Sequence, residues 1–192
     1  MREIVFATRN PNKIKEVAAM LSDKVTLIGL DEIGCEEELP ETTDTIPGNA
    51  LQKANYVKKH FNYNCFAEDT GLEVEALNGE PGVHTAYYAG PERDAIANMA
   101  KVLSGLENKQ NRKARFRTVI ALILNDQTYT FEGIVNGKIA FSPQGDGGFG
   151  YDPIFIPEGY EQSFGELDKE VKNKISHRAR AVEKLIHFFE NN

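Results

Sequence analysis

Thr8, Asn10 and Lys13 surround the point where an apolar run gives way to a helical pattern. Ile4, Val5, Phe6 and Ala7 read as a strand, and Asn10-Pro11 reads as an N-cap followed by proline at the first helical position. Ile14, Val17, Ala18 and Leu21 recur at i, i+3, i+4 and i+7, which predicts a helix with one apolar face. Lys13 then lies in the first turn, where the helix dipole is already positive and a cation is misplaced by up to about 1 kcal/mol. An anion at the same place removes that cost. A hydroxyl, an amide, an ammonium and backbone N–H groups converge where a phosphate can sit. The plain alternative is a solvated lysine at a helix start.

Glu68-Asp69 follows the short apolar run 65–67 and precedes Thr70-Gly71, a strand end of the kind where α/β folds place functional groups. Adjacent carboxylates repel unless a cation or solvent relieves them. Mg²⁺ is a natural partner, because with substrate phosphates it takes only one or two protein carboxylates. Glu41, in the acidic, Thr-rich connection 36–45, is a second acid able to complete such a site. The alternative is a charged turn at a sheet edge. Ser176-His177-Arg178 repeats the oddity of Lys13. With Ser176 as N-cap, His177 and Arg178 take the first two positions of a helix, the end where cations are disfavoured. A phosphate or a ligand carbonyl oxygen accounts for them, with Lys172 four residues before the cap; exposed surface charge is the alternative. Gly145-x-Gly147-Gly148-Phe149-Gly150 is not a dinucleotide fingerprint, since its spacing differs and it precedes a strand. Phe149 can stack on a planar base, a contact of about 1–3 kcal/mol, or fold back onto the sheet. His60, His84 and His187 read as structural, and no Ser/His/Asp or Cys/His order stands out.

The elements that must position these groups alternate along the chain. Further strands are predicted over 25–30, 72–76, 114–124, 128–134 and 138–141, with a turn at Asn125-Asp126. Helices are predicted over 48–60, with Ala50, Ala54, Val57 and Phe61 as its stripe and Lys53 beside it, over 92–104, burying Ile96, Met99, Ala100 and Leu103, and from 176 onward. The mixture predicts an α/β or α+β class with a mixed sheet. At 192 residues the chain suits one domain or one domain with two lobes. A net charge of −7 argues against broad nucleic-acid binding. Cys35 and Cys65 have no disulfide or zinc spacing, and no leader or membrane-length run is visible, so a cytoplasmic protein handling small molecules is expected.

Taken in order, these segments resemble the inosine triphosphate pyrophosphatase family, also called Ham1-like. Thr8-x-Asn10-x-x-Lys13, Glu41, Asn49-Ala50-x-x-Lys53-Ala54, Glu68-Asp69-Thr70-Gly71-Leu72 and Pro81-Gly82 match its motifs. So do Gly148-Phe149-Gly150-Tyr151-Asp152-Pro153-Ile154-Phe155 and Lys172-Asn173-x-x-Ser176-His177-Arg178-x-x-Ala181, so nearly the whole chain is covered. The resemblance implies an α/β fold with an elongated mixed sheet flanked by helices, two lobes with a central cleft, and usually a homodimer. It implies Mg²⁺-dependent hydrolysis of purine nucleoside triphosphates (ITP, dITP, XTP) to the monophosphate and pyrophosphate, which cleanses the nucleotide pool.

On that resemblance, Thr8, Asn10, Lys13, Lys53 and Lys172 hold the triphosphate, and Glu41, Asp69 and Glu68 hold Mg²⁺. Asp69 also orients or deprotonates the attacking water. Phe149 stacks on the base, Asp152 lines its pocket, and His177 and Arg178 donate to the 6-keto oxygen, which disfavours adenine. Three positions depart from the family pattern: Gly48 for a usual Glu, Tyr87 for a usual Arg, and Gln144 for a usual Arg. A nucleotide-binding sensor without turnover and a Maf-like pyrophosphatase for other modified nucleotides are the competing readings.

Overall fold

The computed structural model describes residues 2–21 and 25–192. Along the chain run β1 (Arg2–Phe6), α1 (Pro11–Met20), β2 (Val25–Ile28), α2 (Ile46–Phe61), β3 (Cys65–Val74), α3 (Ala95–Gly105), β4 (Lys113–Leu124), β5 (Gln127–Ile139), β6 (Phe155–Pro157), α4 (Lys169–Ile175) and α5 (His177–Asn191). The strands form one six-stranded sheet in the order β2-β1-β3-β4-β5-β6. β1 pairs in parallel with β2 and β3, whereas β5 and β6 are antiparallel, giving the mixed α/β sheet predicted. No helix of the described residues is long and apolar enough to cross a membrane.

Two compact units share these elements. The first comprises the described residues up to Asp69 with 118–133 and 178–192; the second comprises 70–117 and 134–177. β3, β4 and β5 each run from one unit into the other. The first unit buries Ile4, Phe6, Val17, Phe66, Ile120, Leu122 and Leu185, with Phe6 and Phe66 stacked at 4.5 Å between ring centroids. The second buries Leu72, Val74, Val102, Phe116, Ile139, Phe155 and Phe164.

Local chemistry sets where the helices start. Asn10 Oδ1 accepts from the N–H groups of Asn12 and Lys13 at 3.0 and 3.3 Å, so the predicted cap of α1 forms. α2 begins two residues earlier than its apolar stripe suggests. Thr45 Oγ1 accepts from Gly48 N at 3.0 Å, and Pro47 sits in the first turn, where its missing N–H costs nothing. Asn125 and Asp126 both take positive φ, as a type I′ hairpin turn between β4 and β5 requires.

Several elements differ from expectation. β3 is one unbroken strand, so Glu68 and Asp69 lie buried within it rather than in a turn at its end. β5 likewise continues through Asn136-Gly137. On α1 the buried pair is Glu16 and Val17, while Ile14 and Ala18 are exposed, because Glu16 has a charged partner described below. On α3, Ile96 is 76% exposed, and Asn98 is turned inward. Its amide accepts from Ala89 N and donates to Ala86 O, tying down the loop before the helix. α4 is a helix that the apolar pattern did not announce, and Ser176 closes it as C-cap.

The cap of α2 matters because this helix carries Asn49 and Lys53. Thr45→Ala removes the Oγ1 acceptor, and the unfolding free energy falls by about 1 kcal/mol. Urea denaturation checks this; an unchanged midpoint at unchanged slope contradicts it.

Candidate active site

In the first unit, Lys13 in the opening turn of α1 reaches Glu68 Oε1 at 3.0 Å. The same carboxylate is gripped by Arg178 on α5, whose Nε lies 3.1 and 2.9 Å from the two oxygens and whose Nη2 lies 2.9 Å from Oε1. Nη1 of Arg178 bonds Glu16 on α1. Burial alone would push the Glu68 carboxyl up, but Arg178 and Lys13 outweigh it and hold it well below the usual range. Arg178 is 1% exposed, and its two carboxylates keep it charged against that burial. For Lys13 the balance goes the other way: burial lowers it, and Glu68 offsets this only in part.

Asp69 meets a different environment, because successive residues of a strand face opposite ways. Lys53 Nζ bonds the Glu68 carbonyl oxygen at 2.8 Å, bonds Glu41 Oε1, and stands 3.8 Å from Asp69 Oδ1. Asn49, whose Oδ1 is taken up by Thr43, donates to Asp69. Asp69 Oδ2 is buried and makes no hydrogen bond. Burial, reinforced by Glu41, raises the Asp69 pKa despite Lys53, Lys13 and Asn49. An unsatisfied buried oxygen costs about 1–3 kcal/mol, and a hard cation shared with partly exposed Glu41 removes that cost. Among the described residues no cluster of three His, Cys, Asp or Glu is arranged to hold a metal alone, and Mg²⁺ bound with phosphates needs only one or two carboxylates. Glu68, expected as a further metal ligand, has its oxygens bonded to Arg178 and Lys13. Thr8 lies in the same turn, its Oγ1 accepting from Asn10 N at 3.2 Å.

The second unit gathers Phe149, Asp152 and Lys172. Asp152 Oδ2 accepts from Phe149 N and from Lys172 Nζ, each at 2.7 Å. The ammonium stands 4.8 Å from the centre of the Phe149 ring, a cation–π contact. Gly148 permits this approach: its φ is +70°, and a Cβ would fall 2.1 Å from Asp152 Oδ2. His177 is buried with its ring stacked on Phe116 at 4.6 Å and 15°. Lys172, expected at the triphosphate, pairs with Asp152 in the second unit. Arg178, expected to donate to a keto oxygen, has its guanidinium committed to Glu68 and Glu16. Sequence reasoning passed over Glu16 and Phe116 and gave Asn49 no role beyond its place in a motif; the available signal for Glu16 was an acid three residues after Lys13, beside apolar Val17. Of the family departures, Gly48 leaves the space filled by the Thr43 hydroxyl, which a Cβ would meet at 2.4 Å. Gln144 contributes its carbonyl oxygen, which accepts from Ser163 Oγ at 2.6 Å.

These features define an α/β protein that sets lysines and an undersolvated carboxylate around a helix N-terminus, chemistry suited to a polyanion carrying a metal. The chain belongs to the Ham1 family, whose sequence profile matches residues 4–188. It is 54% identical over 189 residues to the dITP/XTP pyrophosphatase of Porphyromonas gingivalis, covering 98% of this chain and 97% of that one. With the dITP/XTP pyrophosphatase of Flavobacterium johnsoniae it shares 52% over 184 residues, 96% of each chain. The solved Staphylococcus aureus Ham1 protein superimposes with a TM-score of 0.91 at 40% identity over 99% of each chain. A HAM1 protein from Coxiella burnetii gives 0.93 at 36% identity over 100% of each.

Glu68→Gln leaves Arg178 without its main countercharge, so stability at pH 7 falls by about 3–5 kcal/mol. Because the folded pKa of Glu68 is depressed, its contribution is present above the ordinary carboxylate value near pH 4 and drains as pH falls through it. Urea midpoints measured from about pH 6 down to about pH 3 therefore drop more steeply for the wild type than for Glu68→Gln; parallel profiles contradict this pairing.

Proposed function

We propose that this chain hydrolyses dITP, ITP and XTP to the nucleoside monophosphate and pyrophosphate, removing deaminated purines from the nucleotide pool. The observation that carries this is Asp69, a buried carboxylate with one oxygen lacking a hydrogen bond, beside Lys53 and Glu41. Its context is a chain about half identical, over nearly its whole length, to dITP/XTP pyrophosphatases.

Lys13 and Lys53, with Thr8 and Asn10, bind phosphate oxygens and offset negative charge as the P–O bond breaks. Asp69 orients the attacking water and takes its proton. Asp69 and Glu41 would hold Mg²⁺, which when bound neutralises triphosphate charge and polarises the phosphorus. Phe149 offers a ring for the base to stack on, with Asp152, Lys172 and His177 as the polar groups that read its edge. Family resemblance supports a cytoplasmic homodimer, and the charge of −7 supports small nucleotides rather than nucleic acid as partners.

Product analysis with Mg²⁺ and a panel of ITP, dITP, XTP, GTP, ATP and dTTP tests this. Monophosphate and pyrophosphate arise from ITP, dITP and XTP, with ATP nearly untouched; orthophosphate or equal turnover of ATP overturns the proposal. Asp69→Asn lowers kcat by about 100-fold or more while nucleotide affinity changes little. Wild-type turnover in that variant removes Asp69 from the chemistry.

A further inference from the structure

Glu16 is a buried acid on the helix whose first turn carries Lys13. It stands three residues after Lys13 on α1 and is 8% exposed. A carboxylate so placed is costly unless paired, and it bonds Arg178 Nη1. The other edge of the guanidinium, Nε and Nη2, grips Glu68, and Glu68 Oε1 in turn holds Lys13 Nζ at 3.0 Å. Glu16, Arg178, Glu68 and Lys13 thus alternate in sign within the first unit. Lys13 ends the series, and its side chain, 17% exposed, is the most solvent-accessible of the four.

We infer that Glu16 is a positioning residue for phosphate binding: it fixes one edge of Arg178, turns the other edge to Glu68, and so aims the Lys13 ammonium at the helix N-terminus. The guanidinium is a rigid planar fork, so anchoring Nη1 orients Nε and Nη2. Without the Glu16 charge the fork is held from one side only, and it draws Glu68 away from Lys13. This role rests on Lys13 being a triphosphate ligand, as proposed above. A purely structural Glu16 would stabilise the fold without any coupling to Lys13.

The test is a double-mutant cycle on the full chain, with Glu16→Gln, Lys13→Met and their combination, and inorganic pyrophosphate as the calorimetric probe. Glu16→Gln weakens binding roughly tenfold in the wild-type background and leaves it unchanged in the Lys13→Met background. In turnover, the KM for the nucleotide rises by a similar factor while kcat stays within about threefold. Equal weakening in both backgrounds, or no weakening in either, overturns the inference. If Glu16→Gln does not fold, Glu16→Asp replaces it in the cycle. Its shorter carboxylate gives a smaller loss that again vanishes with Lys13→Met, and a loss that persists there overturns the inference. The two proposals fail separately. A coupled cycle in a protein that hydrolyses none of the nucleotides supports the positioning role and removes the substrate. A Lys13→Met chain that binds pyrophosphate like the wild type removes the positioning role.

Discussion

The first unit's part of the candidate site is built on one buried ion pair, Glu68 with Arg178. A guanidinium 1% exposed would be prohibitive alone, and a carboxylate beside it would be no better. Together, with Glu16 on the remaining edge, they tie β3, α5 and α1 around a common point. The pair also aims two other cations. Glu68 holds Lys13 through its side chain and Lys53 through its carbonyl oxygen, so one residue positions both lysines assigned to the triphosphate in the first unit.

The neighbour of Glu68 is left in the opposite condition. Two consecutive carboxylates leave the strand on different sides, and one finds two cations while the other keeps an oxygen without a hydrogen bond. Two neighbouring carboxylates are thus held in opposite conditions, one paired with cations and one left undersolvated. The cost in stability sits at Asp69 and its recovery at Glu68.

Part of this was legible in the sequence for local reasons. The cap by Asn10, the placement of Lys13 in the first turn, and Lys53 on the edge of a helix stripe all follow from spacing within a few residues. The same holds for the turn at Asn125-Asp126, where two residues tolerant of positive φ separate two apolar runs. What stayed hidden depends on partners distant in sequence. Glu68-Asp69 reads as a charged turn until Arg178, 110 residues away, is brought against it. Glu16 goes unremarked for the same reason, which shifts the expected buried face of α1. Lys172 looked like one more phosphate-binding cation, because nothing in local spacing shows that Asp152, 20 residues earlier, claims it. Arg178 is placed at the base by family resemblance, and nothing in local spacing shows that Glu68 and Glu16 hold its guanidinium.

The central claim is that environment separates these two adjacent carboxylates, and a site-resolved carbon NMR titration of the Glu68 and Asp69 side chains in the metal-free protein measures it directly. The separation predicts that the Glu68 carboxyl carbon stays flat through the ordinary carboxylate range while Asp69 titrates higher than an ordinary aspartate. Ordinary titration of both groups, or the reverse order, would contradict it.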